Sequence, residues 1–338
     1  MKKERVIGLD LFRILLMIMI FNFHTNMHAG VLYGKINSLV CQGAIVMEAF
    51  FLLSGYCIGK KYDLKYFEER DKLFAFYVNH IVRLLFGYWL VLILNKILCN
   101  DFSFSKILMY PFELLGLTQT FANAYNWGSW FVSVMLFCYL FFPFLLILTP
   151  KTKKNIVLLV LLIYLLSSLA PVAASVNGID WTYPRIFWRV IQFWIGIILA
   201  QISIDSQIKI NKSIRCFLAV LILIVLFIIV VILNSHNLGS YGSYEFITLP
   251  LFSIIIVLLD CIKTRETWID KIIIHFSKIS YGFYLAQTLC FLIFKKITDV
   301  YDIKNGLIII LINFLICFII SEIITFLTDK ILSIISKK

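Results

Sequence analysis

Arg13 and His24 stand eleven residues apart in an apolar stretch that opens Gly8-Leu9-Asp10 and closes Met27-His28. On an α-helix that interval is about three turns, with roughly 16 Å of rise and an azimuthal offset of about 20°, so both side chains occupy one face. Asp10, three residues before Arg13, and His28, four after His24, fall on or near the same stripe. Ionisable side chains at membrane depth are costly, and each one is a functional-site hypothesis by default. An imidazole near neutrality can take a proton from a hydroxyl or accept an acyl group. A guanidinium offers a fixed fork of donors to a phosphate or a thioester carbonyl. The structural alternatives are a hydrogen bond from His24 to a neighbouring helix, and an Arg13 that pairs with Asp10 or snorkels to the headgroups. Counted from Val6, Arg13 lies about 10 Å and His24 about 27 Å along such a helix, near opposite membrane surfaces.

Further candidates lie in later apolar runs. Glu48, within Met47-Glu48-Ala49-Phe50-Phe51-Leu52-Leu53-Ser54-Gly55, falls near the middle of a second span, where a carboxyl needs a proton, a cation or an imidazole. Orienting His24 and pairing with Arg13 are both open to it. Ser54 and Gly55 give a small-residue surface for close helix contact. Arg185 and Arg189 are one turn apart, either snorkelling outward or serving a ligand. Glu322 is an isolated acid in the last span. Trp130 closes Tyr125-Asn126-Trp127-Gly128-Ser129-Trp130, an aromatic cluster suited to the membrane interface or to stacking on a sugar. No phosphate-cradling glycine loop, serine elbow or zinc-protease pattern occurs. His24 and His28 lack the glutamate that a zinc site of that kind requires, so no metal is expected. The eight cysteines are dispersed and read as apolar filler.

The elements that must carry these residues follow from composition. Of 338 residues 61% are hydrophobic and 15% charged, more apolar surface than a soluble domain can cover. Apolar runs predict an all-α, polytopic membrane bundle of about ten transmembrane helices, near 7–27, 39–59, 82–99, 130–149, 155–172, 186–204, 216–234, 246–262, 279–294 and 306–327. The span at 246–262 is short enough to be re-entrant. The first run lacks a small-residue cleavage site and reads as a retained helix rather than a signal peptide. The net charge of +12 belongs to loops and not to nucleic-acid binding. With the amino terminus inside, 22 Lys and Arg fall in cytoplasmic segments and 8 outside, which makes both termini cytoplasmic. Residues 60–83 mix charge with Phe67, Leu73, Phe74 and Phe76 and predict an interfacial amphipathic helix feeding the third span, topogenic or anion-binding. No long polar segment stands apart, so residues 1–338 are expected to form a single membrane domain without a separate soluble one.

Taken together, the Arg13-to-His24 motif after Gly8-Leu9-Asp10 resembles the opening signature of the acyltransferase 3 family of integral-membrane proteins. The resemblance continues through Glu48-Ala49-Phe50-Phe51-Leu52-Leu53-Ser54-Gly55-Tyr56, Arg83-Leu84, Trp130-Phe131-Val132-Ser133-Val134, Arg189…Phe193…Gly196 and Ile279-Ser280-Tyr281-Gly282-Phe283-Tyr284-Leu285. It implies a ten-helix bundle that takes an acyl group, usually acetyl from acetyl-CoA on the cytoplasmic side, to a hydroxyl of a glycan at the outer face. By that matching His24 is the catalytic histidine and Arg13 the arginine of the motif, with Asp10 and Glu48 supporting. Arg83, Arg189, Ser54 and Trp130 are candidates for binding donor or acceptor. The chain departs from the pattern at His80, where many members have arginine, and at Phe86, where a proline is usual. It departs again at Met135, where an acid often stands, and at Gln287, where histidine is common.

The expected activity is that of an O-acyltransferase of the inner or plasma membrane. It would use acetyl-CoA or another acyl-CoA as donor substrate, a polysaccharide or glycolipid as acceptor, and no bound cofactor, with membrane lipids as surroundings. The sequence leaves open the acceptor, the acyl group, the oligomeric state and whether His24 is a base or an acyl carrier. A polysaccharide flippase or small-solute transporter is the alternative from another class, and a structural partner in glycan assembly a third.

Overall fold

A computed structural model of the chain describes residues 5–30, 33–99, 130–150, 155, 186–205, 211–236, 241–298 and 305–335. These are helical almost throughout. Helix α1 runs Ile7–Ala29, and short turns (Gly34–Ile36, Asn37–Val40, Cys41–Ile45) lead into α2, Val46–Lys61. Helix α3, Arg70–Tyr77, joins α4, Arg83–Cys99, through a π-turn at Val78–Val82. Then follow α5 (Trp130–Leu148), α6 (Ile186–Asp205), α7 (Lys212–Ser235), α8 (Tyr241–Leu259), α9 (Trp268–Thr298) and α10 (Gly306–Ile335).

Among the described residues six helical runs are long and apolar enough to cross a membrane: Ile7–His28, Gly34–Lys61, Arg70–Cys99, Trp130–Leu148, Lys212–Ser235 and Gly306–Ile335. Ile186–Ile202 and Tyr244–Leu259 are shorter apolar helices. Residues 156–172 of the span expected at 155–172 and the aromatic cluster before Trp130 lie outside the described residues. The interfacial helix expected before the third span is α3, continuous with α4 in one 30-residue run. It exposes Phe74 and buries Phe76, as an amphipathic segment should.

Helix α10 shows why these helices read as membrane elements. Its buried positions are Ile309, Asn313, Cys317, Ser321, Ile324, Thr328 and Leu332, a single stripe at helical spacing that is half polar or small. Leu307, Leu311, Leu315, Ile319, Ile323 and Phe326 are exposed. A soluble helix is arranged the other way round. In lipid, association depends on small and polar residues meeting across the interface while large apolar ones face the hydrocarbon.

The chain divides into two compact units, residues 1–19, 42–68 and 141–277, and residues 20–41, 69–140 and 278–338. Helices α1, α5 and α9 contribute to both.

In the first unit α2 packs on α6 through reciprocal glycines. A Cβ at Gly55 would overlap the Phe193 carbonyl, and one at Gly196 would overlap the Leu52 carbonyl. The two backbones therefore meet directly, the close approach expected of the Ser54-Gly55 surface, with Gly55 as the contact and Ser54 only part-buried beside it. Gly196→Leu is expected to prevent this packing, and the variant should lose its monodisperse elution in detergent. Normal elution and protease resistance would show that the contact is dispensable.

The first turn of α9 is a reciprocal cap. Thr267 Oγ1 accepts from the Asp270 backbone N–H at 3.2 Å, and Asp270 Oδ2 accepts from the N–H groups of Arg265 (2.6 Å) and Thr267 (3.4 Å) and from the Thr264 hydroxyl (3.0 Å). The Arg265 N–H foremost, with the Thr264 hydroxyl and the Thr267 N–H, holds the Asp270 carboxyl below its ordinary value. Its contribution to stability is complete above the unfolded aspartate value of about 3.9 and is lost as pH falls through the lower folded value. Asp270→Asn should therefore flatten the acid limb of a melting-temperature-against-pH curve. An unchanged acid limb would exclude this role.

Candidate functional site

The residues singled out from the sequence fall into separate groups in the two units. Helix α1 is continuous from Ile7 to Ala29, so the interval from Arg13 to His24 is helical throughout.

In the first unit the start of α1 is tied to the connection between α8 and α9. Val6 and Lys263 form an antiparallel bridge, Gly8 N–H donates to Ile262 O at 3.0 Å, and Thr264 N–H donates to Arg5 O at 3.1 Å. A Cβ on Gly8 would overlap the Leu259 carbonyl, which explains a glycine two residues before Asp10. Asp10 is buried and gripped by the whole Arg5 fork, Nε at 2.7 Å and NH2 at 3.0 Å. It also accepts from Ser277 Oγ at 2.5 Å. Arg13 donates to that same Ser277 oxygen at 3.1 Å and to Cys57 Sγ at 3.6 Å, and lies 3.6 Å from Asp10. The expected Asp10–Arg13 pair thus exists, but Arg5 is the principal partner of the carboxylate. Among the described residues two guanidiniums share this acid, and two of the five N–H donors of Arg13 go to Ser277 and Cys57. Cys57 is correspondingly more than apolar filler, since it packs against the guanidinium.

Glu48, expected beside His24 or Arg13, has other neighbours. It is 1% exposed and feels the charges of Glu245 and Arg189. The Thr248 side chain is its nearest uncharged polar neighbour. Arg189 does not snorkel. At 1% exposure its NH1 meets Glu245 Oε1 at 2.9 Å and donates to Gln192 Oε1 at 2.8 Å. Gln192 Nε2 completes a triangle by donating to Glu245 Oε2 at 3.0 Å. Gln192 and Glu245 were not anticipated as partners, and Glu245 stands just before the span expected at 246–262. Deleting one member of a buried ion pair costs about 3–5 kcal/mol. Arg189→Met and Glu245→Met are each expected to destabilise the protein in detergent by that order, and the double variant by less than the sum. Strict additivity in denaturant unfolding would show the two to be uncoupled.

In the second unit His24 is part-buried, and its Nδ1 lies 2.5 Å from Gln287 Oε1 on α9. An amide oxygen only accepts, so Nδ1 carries the hydrogen and Nε2 presents a lone pair. The rings of Phe23 and Tyr284 lie 5.4 Å and 6.4 Å from the imidazole, and Phe131 lies 5.2 Å from Tyr284. His28 stacks on Phe291 at 4.4 Å. Trp130 is buried at the start of α5 and set edge-on to Phe131, not exposed as an interface anchor. Arg83 is exposed and shares Asp329 (3.4 Å) with Lys278, whose Nζ is 2.5 Å away. Tyr281 O–H donates to Leu84 O at 2.6 Å, tying α9 to α4. His80 sets its Nδ1 2.8 Å from Phe76 O. No cluster of three or more metal-binding side chains occurs among the described residues.

Helices with small and polar seams, apolar outer faces and ionisable groups organised inside them define an all-α, multi-pass membrane protein. A family model for an acyltransferase domain matches residues 6–326, nearly the whole chain, and the chain belongs to this acyltransferase 3 family. Comparison with curated proteins and with solved structures gives no significant match.

Proposed function

We propose that this protein is a membrane O-acyltransferase of the inner or plasma membrane that moves an acyl group, most simply acetyl, from cytoplasmic acyl-CoA to a hydroxyl of a cell-surface or exported polysaccharide or glycolipid. The observation that carries the reading is the His24 side chain, whose Nδ1 is held by Gln287 while Nε2 keeps a lone pair for chemistry, on a helix of this acyltransferase family. The surplus positive charge around Arg5, Asp10 and Arg13 supports an anionic or carbonyl-bearing donor at the other end of that helix. The Lys and Arg bias supports a cytoplasmic location for that end and for both termini, within a bundle of about ten spans.

In the direct route His24 Nε2 takes the acceptor hydroxyl proton as the oxygen attacks the thioester carbon. The C–S bond then breaks, and the imidazolium returns the proton to the departing thiolate, giving ester and free CoA. In the two-step route Nε2 itself attacks, the C–S bond breaks with CoA leaving as thiolate, and the acceptor hydroxyl then displaces imidazole from the acyl-imidazolium, its proton passing to the CoA thiolate to give ester, neutral imidazole and free CoA. Mass analysis of the purified protein after incubation with donor alone distinguishes the two, because only the second leaves an acyl group on the protein. The activity itself is tested with labelled acetyl-CoA and membranes containing the acceptor. Label in the glycan supports the proposal, whereas solute flux without label transfer supports a transporter and overturns it.

A further inference from the structure

We infer that Gln287 is the positioning residue of the His24 imidazole, and that its amide N–H₂ holds a second oxygen of the substrate reacting there. This rests on the acyltransferase reading above.

Two observations carry it. The first is the hydrogen bond from His24 Nδ1 to Gln287 Oε1 at 2.5 Å. It fixes both the ring orientation and the tautomer, because a base or nucleophile must present Nε2 without a hydrogen. Elsewhere such a hold is commonly a carboxylate, which also makes the imidazole more basic. A neutral amide orients without adding charge, which suits an apolar span where a further acid would itself need a partner.

The second is that Gln287 is 2% exposed while its Nε2 atom is buried without a hydrogen-bond partner among the described residues. Buried polar groups in folded proteins are nearly always satisfied, so two N–H donors held open beside a candidate catalytic imidazole are directed at something that arrives. The amide sits on the Nδ1 side of the ring, away from Nε2, so the atom it reaches is not the reacting one. It is a neighbouring acceptor oxygen on the same substrate, such as a second hydroxyl or ring oxygen of a sugar.

Three full-length variants, Gln287→Leu, Gln287→Glu and His24→Ala, test the inference in detergent or membranes. Gln287→Leu removes both contacts, and kcat should fall at least about tenfold. Gln287→Glu keeps an acceptor for Nδ1–H but replaces the N–H₂ with oxygen. It should retain most of kcat, move the acid limb of the kcat profile to higher pH because a carboxylate favours the imidazolium, and raise KM for the acceptor. In ¹⁵N-histidine spectra, with His24→Ala identifying the resonance, the wild type should show the Nδ1–H tautomer and Gln287→Leu a mixture.

A folded Gln287→Leu protein with wild-type kcat and tautomer, equal loss of kcat in the Leu and Glu variants, or a wild-type Nε2–H tautomer would each overturn the inference. An inactive His24→Ala beside a fully active Gln287→Leu would leave the acyltransferase reading standing and remove only this one. An active His24→Ala would remove the reading itself.

Discussion

His24→Ala is expected to lower acyl transfer by about 10²–10⁴-fold, the range that a positioned acid–base group contributes, with the protein still inserted and monodisperse. His24 is part-buried, and among the described residues its polar contact is the hydrogen bond to Gln287. Truncation therefore removes the reactive nitrogen and leaves the packed rings of Phe21, Phe283 and Phe314, at centroid distances of 5.3–5.8 Å, to hold the helix in place. The measurement is label transfer from acyl-CoA to surface glycan at matched expression. Transfer within about threefold of wild type would end the catalytic assignment, since no proton-transfer role has so small an effect. The same variant incubated with donor alone should carry no acyl mass if the acyl-histidine route operates.

Arg13→Ala should also be damaging, for a different reason, and Arg13→Lys should not restore it. Removing one partner of a charge-assisted contact costs about 2–5 kcal/mol when it is fully buried, and for the part-buried Arg13 the lower end applies, roughly 30-fold in kcat/KM. Lysine keeps the charge and can still reach Ser277, but it is a point charge without the planar fork. Arg13 already divides that fork between Ser277 Oγ and Cys57 Sγ, so a lysine that replaces either contact has fewer donors, differently directed, for the substrate. The expected pattern is a raised KM for acyl-CoA in the lysine variant and loss of both parameters in the alanine variant. Full rescue by lysine would reduce the role of Arg13 to local charge balance. Because Asp10 keeps its two-point contact with Arg5, neither substitution leaves a buried carboxylate alone, and loss of activity cannot be assigned to a collapsed cluster.

The sequence by itself determined which elements form and which single side chains are out of place in them. Apolar runs and helical spacing are properties of a segment alone, so they located the helices from α1 to α10 and put Asp10, Arg13 and His24 on one continuous helix. The family followed from the same motifs, because they are contiguous in sequence. Only the tertiary structure decided the partners. Ser277 and Gln287 are more than 260 positions from Arg13 and His24, and no periodicity in one helix reports which polar atom another helix turns towards it. Glu245 and Ser277 also stood just outside the spans expected at 246–262 and 279–294. Hydropathy marks where charge begins, whereas α8 and α9 continue as helix past that point, to Tyr241 and Trp268. Arg189 and Glu48 were visible as buried charges, yet the structure joined Arg189 to Glu245 and set Glu48 beside that pair. In an apolar interior the nearest opposite charge wins, and nearness is settled by the reciprocal glycine contact of α2 with α6, a three-dimensional fact that no single run of residues contains.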